Sequence, residues 1–238
     1  MKIALIGYGK MGKAIEGIAV DNGNVITIKI SSSNKEFFTT ENIRQADVAI
    51  EFTNPQSAAE NIKKCMDAGV PVVSGTTGWL RQWDEVVGYC KEKNGTFLYA
   101  SNFSIGVNLF FELNKYLAHL MSAHAEYDVS LEEIHHTQKK DAPSGTAITL
   151  AEQIMQQIRS KLRWINNETN EKEALQIISK RIGEIPGTHR VIYHSPVDNI
   201  EITHTAHSRK GFAAGALRAA QFIHDKKGIF SMREVLGL

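Results

Sequence analysis

The residues best suited to chemistry lie close together near the middle of the chain. Residues 133–147 are Glu-Ile-His-His-Thr-Gln-Lys-Lys-Asp-Ala-Pro-Ser-Gly-Thr-Ala, and Pro143 suits the first turn of a helix. Three residues would then present free backbone N–H groups and two hydroxyls at the start of that helix: Ser144, Gly145 and Thr146. Because a helix N-terminus attracts negative charge and Lys139 and Lys140 add positive charge, the pattern predicts a carboxylate or phosphate site.

Two other interpretations of this stretch stay open. The pair His135–His136 could bind a metal ion, but adjacent side chains on a strand point to opposite faces and no third ligand has suitable spacing, so we expect no metal. Charged stretches are also common as solvated loops between a strand and a helix. The combination of paired histidines and lysines with Pro-Ser-Gly-Thr favours a binding site.

A second candidate site lies at the start of the chain. The sequence Gly7-Tyr8-Gly9-Lys10-Met11-Gly12 fits G-x-G-x-x-G directly after an apolar strand and at the start of a helix. In this motif Gly7 permits the tight turn, Gly9 lets the backbone approach a pyrophosphate, and Gly12 allows close helix–strand packing. The motif alone is weak evidence and could be a turn without a ligand, but its position in a strand–turn–helix context predicts a dinucleotide site.

The end of the second strand bears on the choice of nucleotide. The dinucleotide motif expects an acidic residue there, whereas this chain has Ser31-Ser32-Ser33-Asn34-Lys35 and no acid before Glu36. Small hydroxyl residues such as Ser32, together with Lys35, suit a 2′-phosphate, which predicts that NADPH is preferred or tolerated alongside NADH. The alternative is that Ser31–Asn34 is only a polar turn.

Two later loops follow strands of the same predicted sheet. They are Phe52-Thr53-Asn54-Pro55 and Gly75-Thr76-Thr77-Gly78. Ligands of open α/β sheets bind at the carboxyl ends of strands, so backbone N–H groups and threonine hydroxyls in these loops could contact a ribose or a carboxamide. An ordinary turn is an equally good interpretation of each loop taken alone.

The elements that must position these residues follow from hydrophobic spacing. Apolar runs predict strands over 2–6, 25–30, 48–52, 70–73 and 97–100, and helical spacing predicts helices over 11–20, 57–68 and 79–91. This alternation predicts an N-terminal doubly wound parallel sheet of the Rossmann type, an α/β fold.

The pattern changes after about residue 104. We expect helices over 105–120 and 146–162, and strands over 127–136, 175–182, 190–194 and 200–207. Clustered strands predict a C-terminal α+β domain with a mixed or antiparallel sheet. A helix over 212–223 and a last short helix that starts at a Ser231–Glu234 capping box complete the chain. We therefore predict a dinucleotide-binding domain over 1–104, completed by 211–238, and a second domain over 105–210.

Composition excludes several classes of protein. The 27 basic and 26 acidic side chains nearly cancel, which argues against a general nucleic-acid or membrane-surface binder. Cys65 and Cys90 do not form a ligand-spaced cluster, so we expect a reducing compartment and two buried thiols. No apolar run approaches the roughly 20 residues of a membrane span, and the N-terminus lacks the features of a signal peptide. These features predict a cytoplasmic protein.

Seven stretches together resemble the dihydrodipicolinate reductase family. They run in the family's order over nearly the whole chain: GYGKMG, EFTNP, GTTGW, ASNFSIGVNL, EIHHTQKKDAPSGTA, RIGEIPGTH and SRKGFAAGALRAA. The fifth is highly specific, whereas the glycine motif alone is not. The resemblance implies hydride transfer from NAD(P)H to the dihydrodipicolinate formed from 4-hydroxy-tetrahydrodipicolinate, giving tetrahydrodipicolinate for diaminopimelate and lysine synthesis. It also implies a homotetramer built through sheets of the C-terminal domain.

The resemblance also implies residue roles. His135 and Lys139 match the catalytic pair, with Lys139 as the general acid and His135 orienting or polarising the substrate or assisting proton transfer. Neighbouring cations, namely Lys140 and, if it is protonated, His135, would favour loss of the proton from Lys139. His136 and the Ser144–Thr146 segment match the substrate carboxylate site. The cofactor would contact the following residues: Gly7, Gly9, Lys10, Met11, Gly12, Phe52, Thr53, Gly75, Thr76, Thr77, Ala100, Ser101, Asn102 and Phe103.

This chain departs from the family pattern in two ways, and two alternatives remain. It is shorter than many relatives, and it has three serines where many relatives have a charged residue after the second strand, which leaves the cofactor preference open. A different two-domain Rossmann dehydrogenase, or a non-catalytic NAD(H)-sensing module, would share the glycine motif. Neither alternative explains Lys139 followed by Pro-Ser-Gly-Thr.

Overall fold

The computed structural model describes residues 1–208 and 210–238. The chain divides into two compact units, one formed by Met1–Ile105 with Lys210–Leu238 and the other by Gly106–Arg209. The stretch SRKGFAAGALRAA includes Arg209, which lies outside the described residues.

The first unit is built on a parallel sheet. Its strands are β1 (Lys2–Ile6), β2 (Val25–Ile30), β3 (Val48–Glu51), β4 (Val72–Ser74), β5 (Thr96–Tyr99) and β11 (Gly228–Phe230). Their order is β11-β5-β4-β3-β1-β2, and each neighbouring pair is parallel. The predicted doubly wound sheet is therefore confirmed.

Helices cover both faces of this sheet. They are α1 (Lys10–Asp21), α2 (Thr40–Ile43), α3 (Ala58–Asp67), α4 (Trp83–Glu92), α7 (Lys210–Ile223) and α8 (Met232–Leu236), with short 3₁₀ turns at Lys35–Phe37 and Leu80–Gln82. Side chains alternate along β1, so Ile3 and Leu5 pack in the core with α1, α7 and α8, whereas Ala4 and Ile6 pack with α3 and α4.

The second unit is a mixed sheet covered on one face by helices. Its elements are α5 (Ile105–Met121), β6 (Asp128–His135), α6 (Gly145–Gln157), β7 (Arg163–Ile165), β8 (Ala174–Arg181), β9 (Gly187–His194) and β10 (Asn199–Ala206). The strand order is β10-β9-β6-β8-β7, with β6, β7 and β8 parallel and β9 antiparallel to both its neighbours. The predicted mixed α+β sheet is confirmed.

Alternation along β6 places two polar residues on the covered face of this sheet. Val129 and Leu131 pack in the core formed with α5 and α6, and the next two residues of the same face are Glu133 and His135. All four side chains are buried. A charged and an ionisable group thus occupy positions that the strand pattern would fill with apolar residues.

The helix predicted over 146–162 is too long. α6 ends at Gln157, and Arg163–Ile165 pairs with β8 instead. The ammonium of Lys161 donates to two backbone carbonyls in the segment that leads into β8 and pairs with Asp128 at 2.7 Å. These contacts with distant segments favour an extended chain where the apolar spacing favours continued helix.

Smaller differences concern boundaries and short elements. The strand predicted over 190–194 begins at Gly187, where the ladder with β10 starts. Elements as short as α2 and β11 contain too few residues to show periodicity, so the sequence did not predict them. The capping box of Ser231 and Glu234 is confirmed, as is the burial of Cys65 and Cys90 as free thiols.

Among the helices that the structure describes, none combines the length and the apolar character needed to cross a membrane.

Candidate active site

The glycine turn between β1 and α1 is closely packed on one side and open on the other. Gly7 has φ +100°, and a Cβ there would lie 1.9 Å from the carbonyl oxygen of Phe52. A Cβ on Gly12 would lie 2.4 Å from the carbonyl oxygen of Gly7. Gly9, the N-cap of α1, has nothing within 4 Å of the place where its Cβ would be. The turn thus leaves room for a phosphate at the helix N-terminus.

A cavity of about 410 Å³ brings three predicted segments together. Its lining includes Gly7, Gly9, Ser32, Lys35, Phe52 and Thr53. These residues follow β1, β2 and β3, whose carboxyl ends share one edge of the parallel sheet. Lys10 and Met11 form the first turn of α1 and do not line this cavity.

The turn after β2 is held by its own side chains. The amide oxygen of Asn34 accepts a hydrogen bond from the backbone N–H of Ser31 at 2.7 Å, and the hydroxyls of Ser31 and Ser33 are 2.8 Å apart. The segment is therefore a polar turn, as one interpretation held. Ser32 and Lys35 nevertheless lie on the cavity wall, so a 2′-phosphate site there stays a prediction.

Phe52 connects the remaining predicted cofactor segments. A Cβ on Gly75 would lie 2.1 Å from the Phe52 ring, and the ring of Phe103 is 5.6 Å from it between centroids. Thr76 is buried and its hydroxyl accepts a hydrogen bond from the backbone N–H of Thr53 at 2.7 Å. The other residues of these segments lie beside them, with Ala100 buried, Asn102 half-buried, and Thr77 and Ser101 exposed.

Glu51, which the sequence analysis did not select, joins two of these loops. It ends β3 and is buried, and its carboxylate accepts hydrogen bonds from the hydroxyls of Ser74 (2.6 Å), Thr76 (2.9 Å) and Thr53, and from the backbone N–H of Thr53 (3.1 Å). Burial raises the pKa of Glu51, and the hydrogen bonds partly offset this shift. The carboxylate therefore links the loop that follows β3 to the loop that follows β4, beside Phe52.

Glu133 is the centre of the second cluster. Its carboxylate accepts hydrogen bonds from the backbone N–H of Ser144 (3.1 Å), the hydroxyl of Ser179 (2.7 Å) and the guanidinium of Arg181 (3.0 Å). Burial by itself would raise the pKa of Glu133, but the nearby His189 imidazole and the hydrogen bonds from Ser144, Ser179 and Arg181 hold it well below its usual range. The group is a buried, ionised carboxylate.

His135 lies beside this carboxylate as a neutral imidazole. Its Nδ1 is 3.4 Å from Glu133, and its ring is 5.0 Å from that of His189 between centroids. Burial, followed by the nearby His189, lowers the pKa of His135 to about 4. His135 therefore adds no positive charge beside Lys139 at neutral pH, because burial disfavours the charged ring.

Lys139 has an acidic neighbour. Its ammonium contacts both carboxylate oxygens of Asp141, at 2.8 and 2.7 Å. The sequence predicted cations around Lys139 and indicated no role for Asp141. The ion pair of these two residues spans only two positions of one loop, whose path is set by the contact of Arg181 with the backbone carbonyl of Asp141 at 2.5 Å.

Ser144 differs from the expectation that it presents a free N–H group. It is the buried N-cap of α6: its N–H is bonded to Glu133, its hydroxyl accepts from the backbone N–H of Ala147 at 3.2 Å, and the same hydroxyl is 3.1 Å from Nε2 of His189. The next residue, Gly145, is exposed and has open space beside its Cα. The open part of this helix start is therefore at Gly145.

Three donors of this cluster are close enough to one another to hold a metal ion, namely Glu133, His135 and His189. Sequence spacing did not indicate this set, because His189 is distant in sequence from His135 and comes near it only through the pairing of β6 with β9. The Glu133 carboxylate already accepts from Ser144, Ser179 and Arg181, and the guanidinium neutralises its charge. We assign no metal to the cluster for this reason.

Two family models match the chain, one in each half. The model described as dihydrodipicolinate reductase, N-terminus, matches residues 1–103, and the model described as dihydrodipicolinate reductase, C-terminus, matches residues 106–236.

The chain belongs to the dihydrodipicolinate reductase family.

Similar proteins support this membership along the full length. A protein of Christiangramia forsetii named 4-hydroxy-tetrahydrodipicolinate reductase is 50% identical over 99% of this chain and 98% of its own. One of Methanoculleus marisnigri with the same name is 36% identical over 94% of this chain and 88% of its own. The fold matches that of a dipicolinate-bound dihydrodipicolinate reductase from Paenisporosarcina sp. TG-14, with TM-score 0.76, 22% identity and 97% of each chain covered.

Several residues of this dihydrodipicolinate reductase family member escaped the sequence analysis although they surround the predicted ones. Arg181, Gly187 and His189 lie on β8 and β9, which flank β6 in the sheet. All three belong to the stretch RIGEIPGTH, which contributed to the family resemblance but was given no site role, because its sequence alone does not show that it lies beside β6. A signal was present at Glu133, where an acidic residue interrupts the alternating apolar positions of β6. His136, by contrast, was predicted and is half-buried, with its Nδ1 lacking a hydrogen-bond partner among the described residues.

Proposed function

We propose that this protein is a reductase that uses NADPH or NADH to reduce the dihydrodipicolinate formed from 4-hydroxy-tetrahydrodipicolinate, giving tetrahydrodipicolinate for diaminopimelate and lysine synthesis. The observation that carries the proposal is the match of the N-terminal and C-terminal models of one reductase family to residues 1–103 and 106–236 of this chain. The relatives' shared name, 4-hydroxy-tetrahydrodipicolinate reductase, supplies the substrate.

A pyridine nucleotide is the cofactor of the proposed reaction, and its reduced nicotinamide supplies the hydride. The open side of Gly9 supports binding of the pyrophosphate there, because a backbone without a side chain can approach it closely. Lys35 and Ser32 on the cavity wall support acceptance of a 2′-phosphate. The Phe52–Thr53, Gly75–Thr77 and Ala100–Phe103 segments are the proposed nicotinamide side of the site.

The proposed substrate carries two carboxylates, which the second unit would bind. Gly145 is the best placed residue of the Ser144–Thr146 segment, since it opens a helix of 13 residues and faces open space. Ser144 serves this site by capping the helix. His136 is the other proposed carboxylate ligand, and its unpartnered, buried Nδ1 supports that role.

Lys139 is the proposed general acid. Hydride addition to a conjugated imine leaves electron density that a proton must quench, and the ammonium of Lys139 can donate one. Its ion pair with Asp141 holds the donor in place before the reaction. His135 is neutral and therefore orients the substrate or accepts a hydrogen bond from it in this proposal.

The proposal includes a homotetramer in the cytoplasm. β10 forms one edge of its sheet and has exposed side chains along its length, which supports association through the sheet of the second unit. Two buried free thiols agree with a reducing compartment. Light scattering on the purified protein would measure the mass, and a monomer would contradict the tetramer.

The deciding experiment is oxidation of NADPH, and separately of NADH, by the purified protein with freshly generated 4-hydroxy-tetrahydrodipicolinate. We expect rapid, substrate-dependent loss of reduced nucleotide, with NADPH accepted at least as well as NADH. A folded protein that binds the nucleotide and does not oxidise it with this substrate would contradict the proposal. That outcome would favour another substrate or a sensing role.

A further inference from the structure

The two oxygens of Glu133 face different groups. Oε1 accepts from Ser179 at 2.7 Å and from Arg181 at 3.0 Å. Oε2 lies 3.4 Å from Nδ1 of His135 and 3.7 Å from Nε2 of His189. The backbone N–H of Ser144 lies between them, 3.1 and 3.2 Å from the two oxygens. One side of the carboxylate thus meets fixed donors, and the other side meets two imidazoles.

An ionised carboxylate has no proton to donate, so a neighbouring group is stabilised only when it turns a donor or a positive charge toward it. Glu133 is buried and its pKa is held well below the usual range by its hydrogen bonds, so both oxygens are acceptors. A neutral imidazole carries one proton, on either Nδ1 or Nε2. His135 Nδ1 is buried and forms no hydrogen bond with the described residues, and the Glu133 carboxylate lies 3.4 Å from it. The stable arrangement puts the His135 proton on Nδ1, where it faces the negative charge.

We infer that Glu133 is a positioning residue that fixes His135 in the tautomer with the proton on Nδ1 and an unprotonated, or bare, Nε2. The catalytic consequence rests on the proposed function above. A bare Nε2 accepts a hydrogen bond and cannot donate one. His135 therefore serves the reaction as an acceptor that orients a substrate N–H or a water, which leaves proton donation to Lys139.

The structure leaves space at the bare nitrogen. A Cβ on Gly187 would lie 3.0 Å from His135 Nε2 and 3.2 Å from its Cδ2, so the strand beside the ring carries a glycine where a side chain would crowd it. The same carboxylate also holds the start of α6 through Ser144. Glu133 thereby sets the position of the ring and of the proposed carboxylate site from a single buried group.

The substitution Glu133→Gln tests the inference because it replaces the hydrogen-bond acceptor that faces His135 with a donor. Ser179 and Arg181 require an acceptor, so the amide oxygen takes the place of Oε1 and the amide NH₂ faces His135. An N–H donor at that place forces Nδ1 to accept and moves the ring proton to Nε2. The matched control is Glu132→Gln, the same change on the neighbouring residue of β6, whose side chain is paired with Lys180.

The first measurement is the ¹⁵N spectrum of histidine-labelled protein without ligands, assigned by loss of the His135 signals in a His135→Asn variant. We expect the wild type and Glu132→Gln to have a protonated Nδ1 and an unprotonated Nε2 at His135, and Glu133→Gln to show the reverse. A wild-type His135 protonated at Nε2 overturns the inference. This readout decides it even if Glu133→Gln does not fold or if the reaction proposed above is wrong.

The second measurement is steady-state kinetics with the reductase substrate. We expect Glu133→Gln to lower kcat by about 10- to 100-fold, as is common when the partner that orients a histidine is lost, while KM for the nucleotide stays unchanged. Glu132→Gln should match the wild type. If Glu133→Gln keeps the wild-type tautomer or the wild-type kcat, Glu133 has only a structural role. Absence of turnover in the wild type contradicts the proposed function and leaves the spectroscopic result to stand by itself.

Discussion

Gly187 is the residue whose lack of a side chain matters most to His135. The added methyl group of Gly187→Ala would lie 3.0 Å from Nε2, so the ring must shift by a few tenths of an ångström. We expect kcat to fall by about 3- to 10-fold, since small displacements of a catalytic group are costly, with nucleotide affinity unchanged. Gly88→Ala on α4, where nothing lies within 4 Å, is the control in the same assay. A kcat equal to that of the control would mean that the ring adapts freely.

The neutral state of His135 makes stability depend on pH. Its pKa is about 4 in the folded protein against 6.5 for a free histidine, so between these values the unfolded chain binds a proton that the folded chain does not. The free energy of unfolding should therefore fall as the pH drops through this window, by up to about 3 kcal/mol.

Urea denaturation at a series of pH values checks this dependence. We expect His135→Asn to flatten the slope between about pH 6.5 and 5, above the range in which carboxylates titrate. The same change at the exposed His119 should leave the slope as in the wild type. Equal slopes for the two variants would show that the charged form of His135 is tolerated in the folded protein.

The ends of β3 and β4 depend on each other through one buried carboxylate. Glu51→Ala would leave the hydroxyls of Ser74 and Thr76 without their acceptor, and the N–H of Thr53 with the Thr76 hydroxyl alone. We expect a loss of about 2–4 kcal/mol in the free energy of unfolding, and weaker nucleotide binding because these loops flank Phe52. Glu60→Ala removes an exposed carboxylate from α3 and should cost less than about 1 kcal/mol.

Chemical denaturation and nucleotide titration of both variants separate the two effects. A Glu51→Ala protein that loses stability and binds the nucleotide as the wild type does would limit Glu51 to holding the sheet. Glu51→Gln, which keeps the shape and an acceptor oxygen, should recover part of the stability. Recovery of binding as well would show that the loop positions, rather than the negative charge, are what the nucleotide requires.

The proposed cofactor and proton-donor residues belong to different units of the molecule, so their substitutions should have separate effects. Lys35→Glu reverses a charge on the cavity of the first unit and should weaken NADPH binding more than NADH binding. Lys139→Ala should reduce kcat by about 10²- to 10⁴-fold while NADPH still binds, because a general acid acts only in the chemical step. Lys172→Ala, an exposed lysine of the second unit, is the control.

Titration of NADPH and NADH into each variant, followed by steady-state kinetics, makes this comparison. Near-normal turnover of Lys139→Ala would remove Lys139 from the role of acid. Unchanged NADPH affinity in Lys35→Glu would mean that the segment after β2 is a polar turn and nothing more.

Local sequence patterns were sufficient to predict much of the fold of this molecule. The role of Gly12 follows from a short motif, because its closest contact is with Gly7 of the same turn. The motif also identifies Gly7, although the contact that requires a glycine there is with Phe52, at the end of a neighbouring strand. The capping box of α8 and the strand–helix alternation are local in the same sense. Hydrophobic spacing reports which face of an element is buried, and this predicted the parallel sheet and the mixed sheet without any contact information.

The surroundings of the candidate catalytic residues could be determined only from the tertiary structure. Glu133 meets Arg181 and His189 only because β6 pairs with β8 on one side and β9 on the other, and the register of those strands sets which side chains are opposite. The end of α6 at Gln157 has the same cause, since a strand with partners elsewhere competes with the helix. The charge state of His135 is also set by the tertiary structure, because the fold buries the ring and burial favours its neutral form. Burial depends on how the whole chain packs, and residue spacing along the sequence does not specify it.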